Sequence, residues 1–231
     1  MSGSGAHSGD LDERAAATVD TAMTLEDALA WVDRFISHVV ASKAAFTELD
    51  RQAGDGDFGT NIEAAVSKAR RRLTEQPPST PGEVLQRVSA GFLATGGTSG
   101  PLLGAWFREL AKGVTTHAST EAFAVGVESG TAAVQRLGRA SVGDRTMIDA
   151  MVPAANALRR AFTVGVGLDS ALRYAASEAR RGAESTTAML GRKGRASYVG
   201  EAARGLPDPG AVLIADLFET AVPHGAAGLA E

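Results

Sequence analysis

The chain has 231 residues, of which 44% are hydrophobic and 22% charged, with a formal net charge of −4 and no cysteine. This is the composition of one globular domain, two at most, with enough chain to bury a sizeable core. The acidic balance excludes general nucleic-acid binding, and the lack of cysteine excludes disulfides, thiolate metal sites and a cysteine nucleophile.

Residues 1–23 read as a tail of Gly, Ser, Ala and Asp without the basic stretch and apolar core of a secretory leader. No apolar run approaches the length of a membrane span, and a reducing cytoplasm is the expected compartment. From Thr24 the apolar residues recur at helical spacing. Leu25, Ala28, Leu29, Val32, Phe35, Ile36, Val39 and Val40 mark a first helix, with Thr24 and Asp27 as its N-terminal cap. A second helix is expected from near Gly59 to about Leu73. A third follows Thr80-Pro81, a cap with proline at the first helical position, and carries Val84, Leu85, Val88, Phe92 and Leu93. Further helices are expected from near Pro101 to Gly113, Ser119 to Leu137, Thr146 to Phe162, Asp169 to Leu190 and Pro209 to Val222. Sustained period-two alternation is absent, so strands are not expected. The expectation is an all-α, eight-helix antiparallel up-and-down barrel or bundle over residues 24–222, with helices of two to five turns and a C-terminal tail over 223–231.

In such an array alternate connections share one end. Asp50–Gly59, Gly96–Gly100, Gly138–Arg145 and Gly191–Pro209 therefore fall on one rim, and they are the connections richest in Gly, Asp, Ser, Thr and Arg. A ligand site across that rim follows.

Asp50, Asp55 and Asp57 fall within eight positions on a glycine-rich turn. Bare carboxylates crowd at a cost: unit charges 4 Å apart repel by roughly 4 kcal/mol at an effective dielectric near 20. A hard divalent cation offsets that cost, so the turn reads as a magnesium site with phosphate as co-ligand. The competing account is a solvated turn whose aspartates cap the second helix. Gly54-Asp-Gly56-Asp-Phe-Gly59 matches a dinucleotide signature in form only, since it follows a helix and is acidic. An EF-hand fails because Val66 stands where a bidentate Glu is needed. Gly96-Gly97-Thr98-Ser99-Gly100 offers backbone amides at a helix start, where an anion is favoured, or serves as a plain turn. His7, His38, His117 and His224 form no metal-spaced cluster, and no His or strand context supports Ser99 as a nucleophile. Arg192, Lys193 and Arg195 form a basic cluster that is either a solvated surface or, on the shared rim, a phosphate clamp.

Four segments together resemble the L subunit, or nucleotide-binding domain, of dihydroxyacetone kinases (DhaL-like proteins). They are Leu49-Asp50…Gly54-Asp-Gly-Asp57…Gly59-Thr-Asn61, Gly96-Gly-Thr-Ser-Gly100-Pro101, Gly143-Asp-Arg-Thr-Met-Ile-Asp-Ala150, and Gly194-Arg-Ala-Ser-Tyr198…Asp208-Pro-Gly210-Ala211. The resemblance implies a helical barrel with ADP or ATP at one rim. Asp50, Asp55 and Asp57 would hold two magnesium ions bridging the phosphates. Thr98, Ser99 and adjacent amides would contact phosphate, with Gly59, Thr60, Asn61, Gly97 and Gly100 among the nucleotide-binding positions. Thr146 and Met147 would border the nucleotide, Met147 near the adenine. Arg195 would reach the phosphates, and Asp208-Pro209-Gly210 would close the pocket near base or ribose. One departure stands out. Phe58 occupies a position where the family commonly has His, and Phe donates no hydrogen bond to phosphate.

The resemblance further implies phosphoryl transfer to a short ketose, a triose or tetrulose, held by a separate K-type subunit. The phosphate donor is either free ATP or a phosphohistidine carrier of the sugar phosphotransferase system acting on retained ADP. The alternatives are a non-catalytic adenine-nucleotide sensor or partner-binding module, and a ligand-free helical scaffold. Neither nucleic acid nor membrane is an expected partner.

Overall fold

A computed structural model describes residues 22–116, 118–193 and 204–222. Among these residues the helical spacing produces eight α-helices: α1 (Leu25–Ala53), α2 (Phe58–Glu75), α3 (Pro81–Leu93), α4 (Ser99–Gly113), α5 (Thr120–Gly138), α6 (Ile148–Thr163), α7 (Leu168–Ser185) and α8 (Pro209–Ala221). A single 3₁₀ turn, Thr186–Ala188, follows α7. The described residues contain no strand, only an isolated antiparallel bridge between Met23 and Ala118. None of the described helices is long and apolar enough to cross a membrane. The expected all-α architecture is therefore the one observed.

Two boundaries differ from expectation. α1 runs for 29 residues, well beyond five turns, so Asp50 lies in its last turn and not on a loop. No breaker interrupts Ala41–Ala53, and the helix continues on propensity until Gly54 although few apolar residues mark that half. α7 stops at Ser185 and not near Leu190. There the hydroxyls of Ser185, Thr186 and Thr187 donate to the carbonyls of Gly182, Ala183 and Glu184 at 2.7, 2.5 and 2.8 Å. Side chains that bond the final carbonyls compete with the backbone ladder, and the last turn tightens to 3₁₀.

Each helix packs on the next, and α8 returns to α1, closing the ring. At that closure the Trp31 indole N–H donates to the Leu217 carbonyl at 3.1 Å. Arg180 donates to Asp216 Oδ1 at 2.6 Å and to both Glu219 oxygens at 2.7 Å. His38, on α1, also reaches Asp216 at 2.8 Å. Ser42 approaches the same His38 nitrogen that meets Asp216. A Ser–His–Asp relay needs the two opposite ring nitrogens, so this is a structural pairing.

The interior is unevenly filled. Phe35, Phe92, Trp106, Phe107 and Phe218 form a run of ring contacts and Trp31 pairs with Phe123, with ring centroids 5.1–6.4 Å apart. Trp31 and Phe123 lie near the starts of α1 and α5, and Phe218 near the end of α8. Trp31, Phe123 and Phe218 thus lie toward the end opposite the loops that follow α1, α3, α5 and α7, whereas Phe92, in the last turn of α3, lies beside one of those loops.

Candidate functional site

Asp50, Asp55 and Asp57 converge: one carboxylate oxygen from each lies within 4.8 Å of the others. Asp50 is buried while Asp55 and Asp57 are exposed. The Phe58 N–H donates to Asp50 Oδ2 at 3.1 Å, so the last turn of α1 steadies the first turn of α2. Gly54 permits this arrangement, since a Cβ there would stand 2.4 Å from Asp50 Oδ1. Gly56 takes φ +80°, open to glycine and strained for other residues. Asp57 holds the N-cap position of α2 without a capping bond from its side chain, so the purely structural account of this turn fails for Asp57 and holds in part for Asp50. An all-oxygen donor set at this spacing fits a hard divalent cation.

Beside the carboxylates lie two adjoining hollows. The smaller, about 360 Å³, is bounded by the three aspartates, Phe58, Asn61 and Gly96–Ser99. The larger spans about 790 Å³ counted to its open mouth and is open to solvent on one side. Its walls come from all four connections expected on one rim, including Thr98, Thr146, Met147, Lys193 and Asp208–Gly210. Asp50, Phe58, Thr98 and Ser99 line both hollows and form the passage between them. Phe58 is buried and meets Phe46 edge-on at 5.8 Å, giving that passage an apolar side.

Side-chain caps close three of the four helix starts away from the hollows, and α7 begins at Gly167 without one. Away from the hollows, Thr24, Thr80 and Ser119 accept backbone N–H bonds through their side chains and cap α1, α3 and α5. At the hollows, α4 begins at Thr98 with no side-chain cap, whereas the first amides of α2 and α6 donate to the side chains of Asp50 and Thr146. Uncapped first-turn amides at a helix N-terminus suit an anion. Among the described helices starting at this rim, α8 carries an N-cap side chain of its own, the Ala211 N–H donating to Asp208 Oδ2 at 2.8 Å.

The connection before α6 is pinned by one buried carboxylate. Asp149 accepts from the Gly143 N–H at 2.6 Å and the Thr146 N–H at 2.8 Å. Gly182 lets α7 approach at this point, for its Cβ would fall 2.1 Å from the Asp149 carbonyl oxygen. Between the two pinned amides sits Arg145, whose φ of 61° costs an L-residue about 1–2 kcal/mol. Its guanidinium lines the larger hollow and donates to the Leu206 carbonyl at 2.9 Å. Burial lowers the Arg145 pKa, and the charge of Asp208 opposes that shift. Burial pushes the Asp208 carboxyl up to about 7 against the opposing Ala211 N–H and Arg145, with Asp149 adding to the rise.

A family model described as the DAK2 domain matches residues 52–222. The chain belongs to the DAK2, or DhaL-like, family. It is 34% identical over 187 residues to the ADP-binding subunit DhaL of the PEP-dependent dihydroxyacetone kinase of Escherichia coli, covering 80% of this chain and 89% of that subunit. It is 35% identical over 189 residues to the triokinase/FMN cyclase of Rattus norvegicus, covering 81% of this chain. It spans only 33% of the length of that relative. Among solved structures, the dihydroxyacetone kinase from C. freundii in complex with AMP-PNP and Mg²⁺ superposes with a TM-score of 0.62 at 24% identity, over 94% of this chain and 37% of that one. At that identity the likeness is one of fold.

The positions singled out in the sequence separate into groups. Asp50, Asp55, Asp57, Asn61, Gly97, Thr98, Ser99, Thr146, Met147, Asp208 and Gly210 line one or both hollows. Gly59 instead packs against α1, where a Cβ would meet the Lys43 carbonyl at 2.4 Å, and Gly100 packs against the Thr95 carbonyl at 2.8 Å. Thr60 is exposed on α2. Arg195, with Tyr198, lies outside the described residues. Sequence reasoning did not select Arg145, Asp149 or Lys193 individually, although the first two stand in a quoted motif and the third in the basic cluster. The signal available for Arg145 and Asp149 was the polar run Gly143–Thr146 opening a helix.

Proposed function

We propose that this chain is the nucleotide-binding subunit of a dihydroxyacetone-type kinase. It holds Mg-ADP or Mg-ATP and passes a phosphoryl group to a short ketose, a triose or tetrulose, presented by a separate K-type subunit. The observation that carries this reading is the convergence of Asp50, Asp55 and Asp57 beside the uncapped start of α4, at the passage into the larger hollow. The relatives that are ADP-binding subunits of dihydroxyacetone kinases support it.

The three aspartates would hold magnesium, two ions in the arrangement that the resemblance implies. Bound there, magnesium neutralises phosphate oxygens and keeps them in line for transfer. The first-turn amides and hydroxyls of Thr98 and Ser99 bind the polyphosphate, and Met147 supplies an apolar surface for the base. Phe58 narrows the passage between base and phosphates and excludes water without donating a hydrogen bond. Arg195 is assigned to the phosphates by the resemblance alone. In the transfer, the P–O bond to ADP breaks as a new P–O bond forms to the ketose hydroxyl oxygen, whose proton leaves to a base or to water.

Exposed apolar side chains at the same rim (Leu93, Leu137, Val142 and Leu190) offer a surface on which the K-type subunit docks. The donor is free ATP or, as the PEP-dependent relative favours, a phosphohistidine carrier acting on retained ADP. We assign the reaction to the cytoplasm. Calorimetry with Mg-ADP, followed by reconstitution with a K-type subunit and dihydroxyacetone, tests the proposal. Binding and partner-dependent turnover are expected. Binding without turnover on any triose or tetrulose points to a sensor, and no binding overturns the reading.

A further inference from the structure

Arg145 is as buried as the core tryptophans, at 1% exposure, yet it carries a charge and a left-handed backbone. Such a combination persists only when the surroundings over-determine it. Here the surroundings are Asp149, which fixes the chain on both sides of Arg145 through Gly143 and Thr146. From that anchor the guanidinium crosses to the Leu206 carbonyl in the segment that leads into α8. The same segment is held from below, since the Asp208 N–H donates to Thr186 Oγ1 at 2.8 Å and the Asp208 carboxylate caps α8 at Ala211. Met147 and Gly210 then stand in contact range across the hollow, with a Cβ at Gly210 falling 3.4 Å from the Met147 side chain.

We propose that Arg145 is the positioning residue of the nucleoside end of the site: it ties the connection before α6 to the segment before α8 and so holds the Asp208–Pro209–Gly210 turn as a wall of the hollow. This rests on the nucleotide-binding reading above. The charged groups around Asp208 make the role measurable. Burial above all, with Asp149 on α6, favours the protonated Asp208 carboxyl, whereas the Ala211 N–H and Arg145 oppose it. Lys193 is a second cation lining the same hollow. Without Arg145, Asp208 keeps its proton to higher pH.

The test is calorimetry of Mg-ADP binding to the full chain between pH 6 and 9. Wild type, Arg145→Met, Arg145→Lys and Asp208→Asn are compared. The Met variant is expected to bind at least tenfold more weakly at pH 7, and the inflection of its pH profile moves upward. The Lys variant returns the inflection to the wild-type position with part of the affinity, and Asp208→Asn abolishes the inflection. Arg145→Gln, which keeps donors and loses the charge, carries the same expectation where the Met variant fails to fold by circular dichroism. A charge-deleted variant that binds within twofold of wild type overturns the proposal, and so does one that loses affinity with an unmoved inflection. A wild type that binds no Mg-ADP overturns the nucleotide reading itself and this inference with it.

Discussion

Replacing Asp50 by Asn removes one negative charge from the aspartate trio and keeps an oxygen to accept the Phe58 N–H. The facing oxygens of Asp50, Asp55 and Asp57 lie within 4.8 Å. Unit charges at that spacing repel by about 1 kcal/mol in water and about 3.5 kcal/mol at an effective dielectric of 20. Asp55 and Asp57 are exposed, so the lower figure applies, and relieving two pairs yields about 2 kcal/mol. Exchanging a charged acceptor for a neutral one costs about 1 kcal/mol in return. Metal-free Asp50→Asn is therefore expected to be about 1 kcal/mol more stable than wild type, a rise of about 2–4 °C in Tm for a chain of this size. With Mg-ADP at 100 times its Kd, wild type gains about 2.7 kcal/mol and the variant gains little, so the order reverses. Thermal scans in EDTA, in magnesium and in Mg-ADP read both limbs. A variant less stable than wild type in EDTA, or shifted as far by Mg-ADP, refutes the charge argument.

Gly54→Ala places a methyl group 2.4 Å from Asp50 Oδ1, so the carboxylate must turn away. Mg-ADP affinity measured by calorimetry should fall by about 10–100-fold, as it does when a group that orients a metal ligand is lost. The Tm in EDTA should move by no more than about 4 °C. For Asp208, burial holds the folded carboxyl at about 7, whereas an unfolded aspartate titrates near 3.9. The folded chain thus keeps a proton that the unfolded chain has released, and the stability this group contributes declines as pH rises from about 4 to about 7. Asp208→Asn keeps a cap for Ala211 and removes the titration. Its urea midpoint relative to wild type should climb across that window and level off above it, and a constant difference from pH 5 to 8 contradicts the assignment.

The helical array was legible because its signals are local. Thr24 with Asp27, Thr80 with Pro81, and Ser119 cap helices where the sequence places them. The shared rim followed from alternation alone, and the larger hollow draws on all four of its connections. Legibility failed where apolar spacing is silent. The second half of α1 carries mostly polar and small residues, so the sequence signal ends near Val40 while the helix runs on and takes Asp50 with it. The role of Arg145 was hidden for another reason. A residue lines a hollow because of what stands across from it, and spacing along one chain segment does not encode that. Phe58 reads as a missing hydrogen-bond donor in the sequence, whereas its packing on Phe46 shows what the ring does instead.

Hollows at one end of the barrel, with Trp31, Phe123 and Phe218 packed toward the other, give the molecule the form of a cup with a base and an open brim. Hydrogen exchange should be slowest around Trp106 and Phe107 and fastest along the connections that bear the aspartates. A base that carries cohesion on its own frees the brim to be recut for different guests, because residues changed there remove little of what keeps the vessel folded.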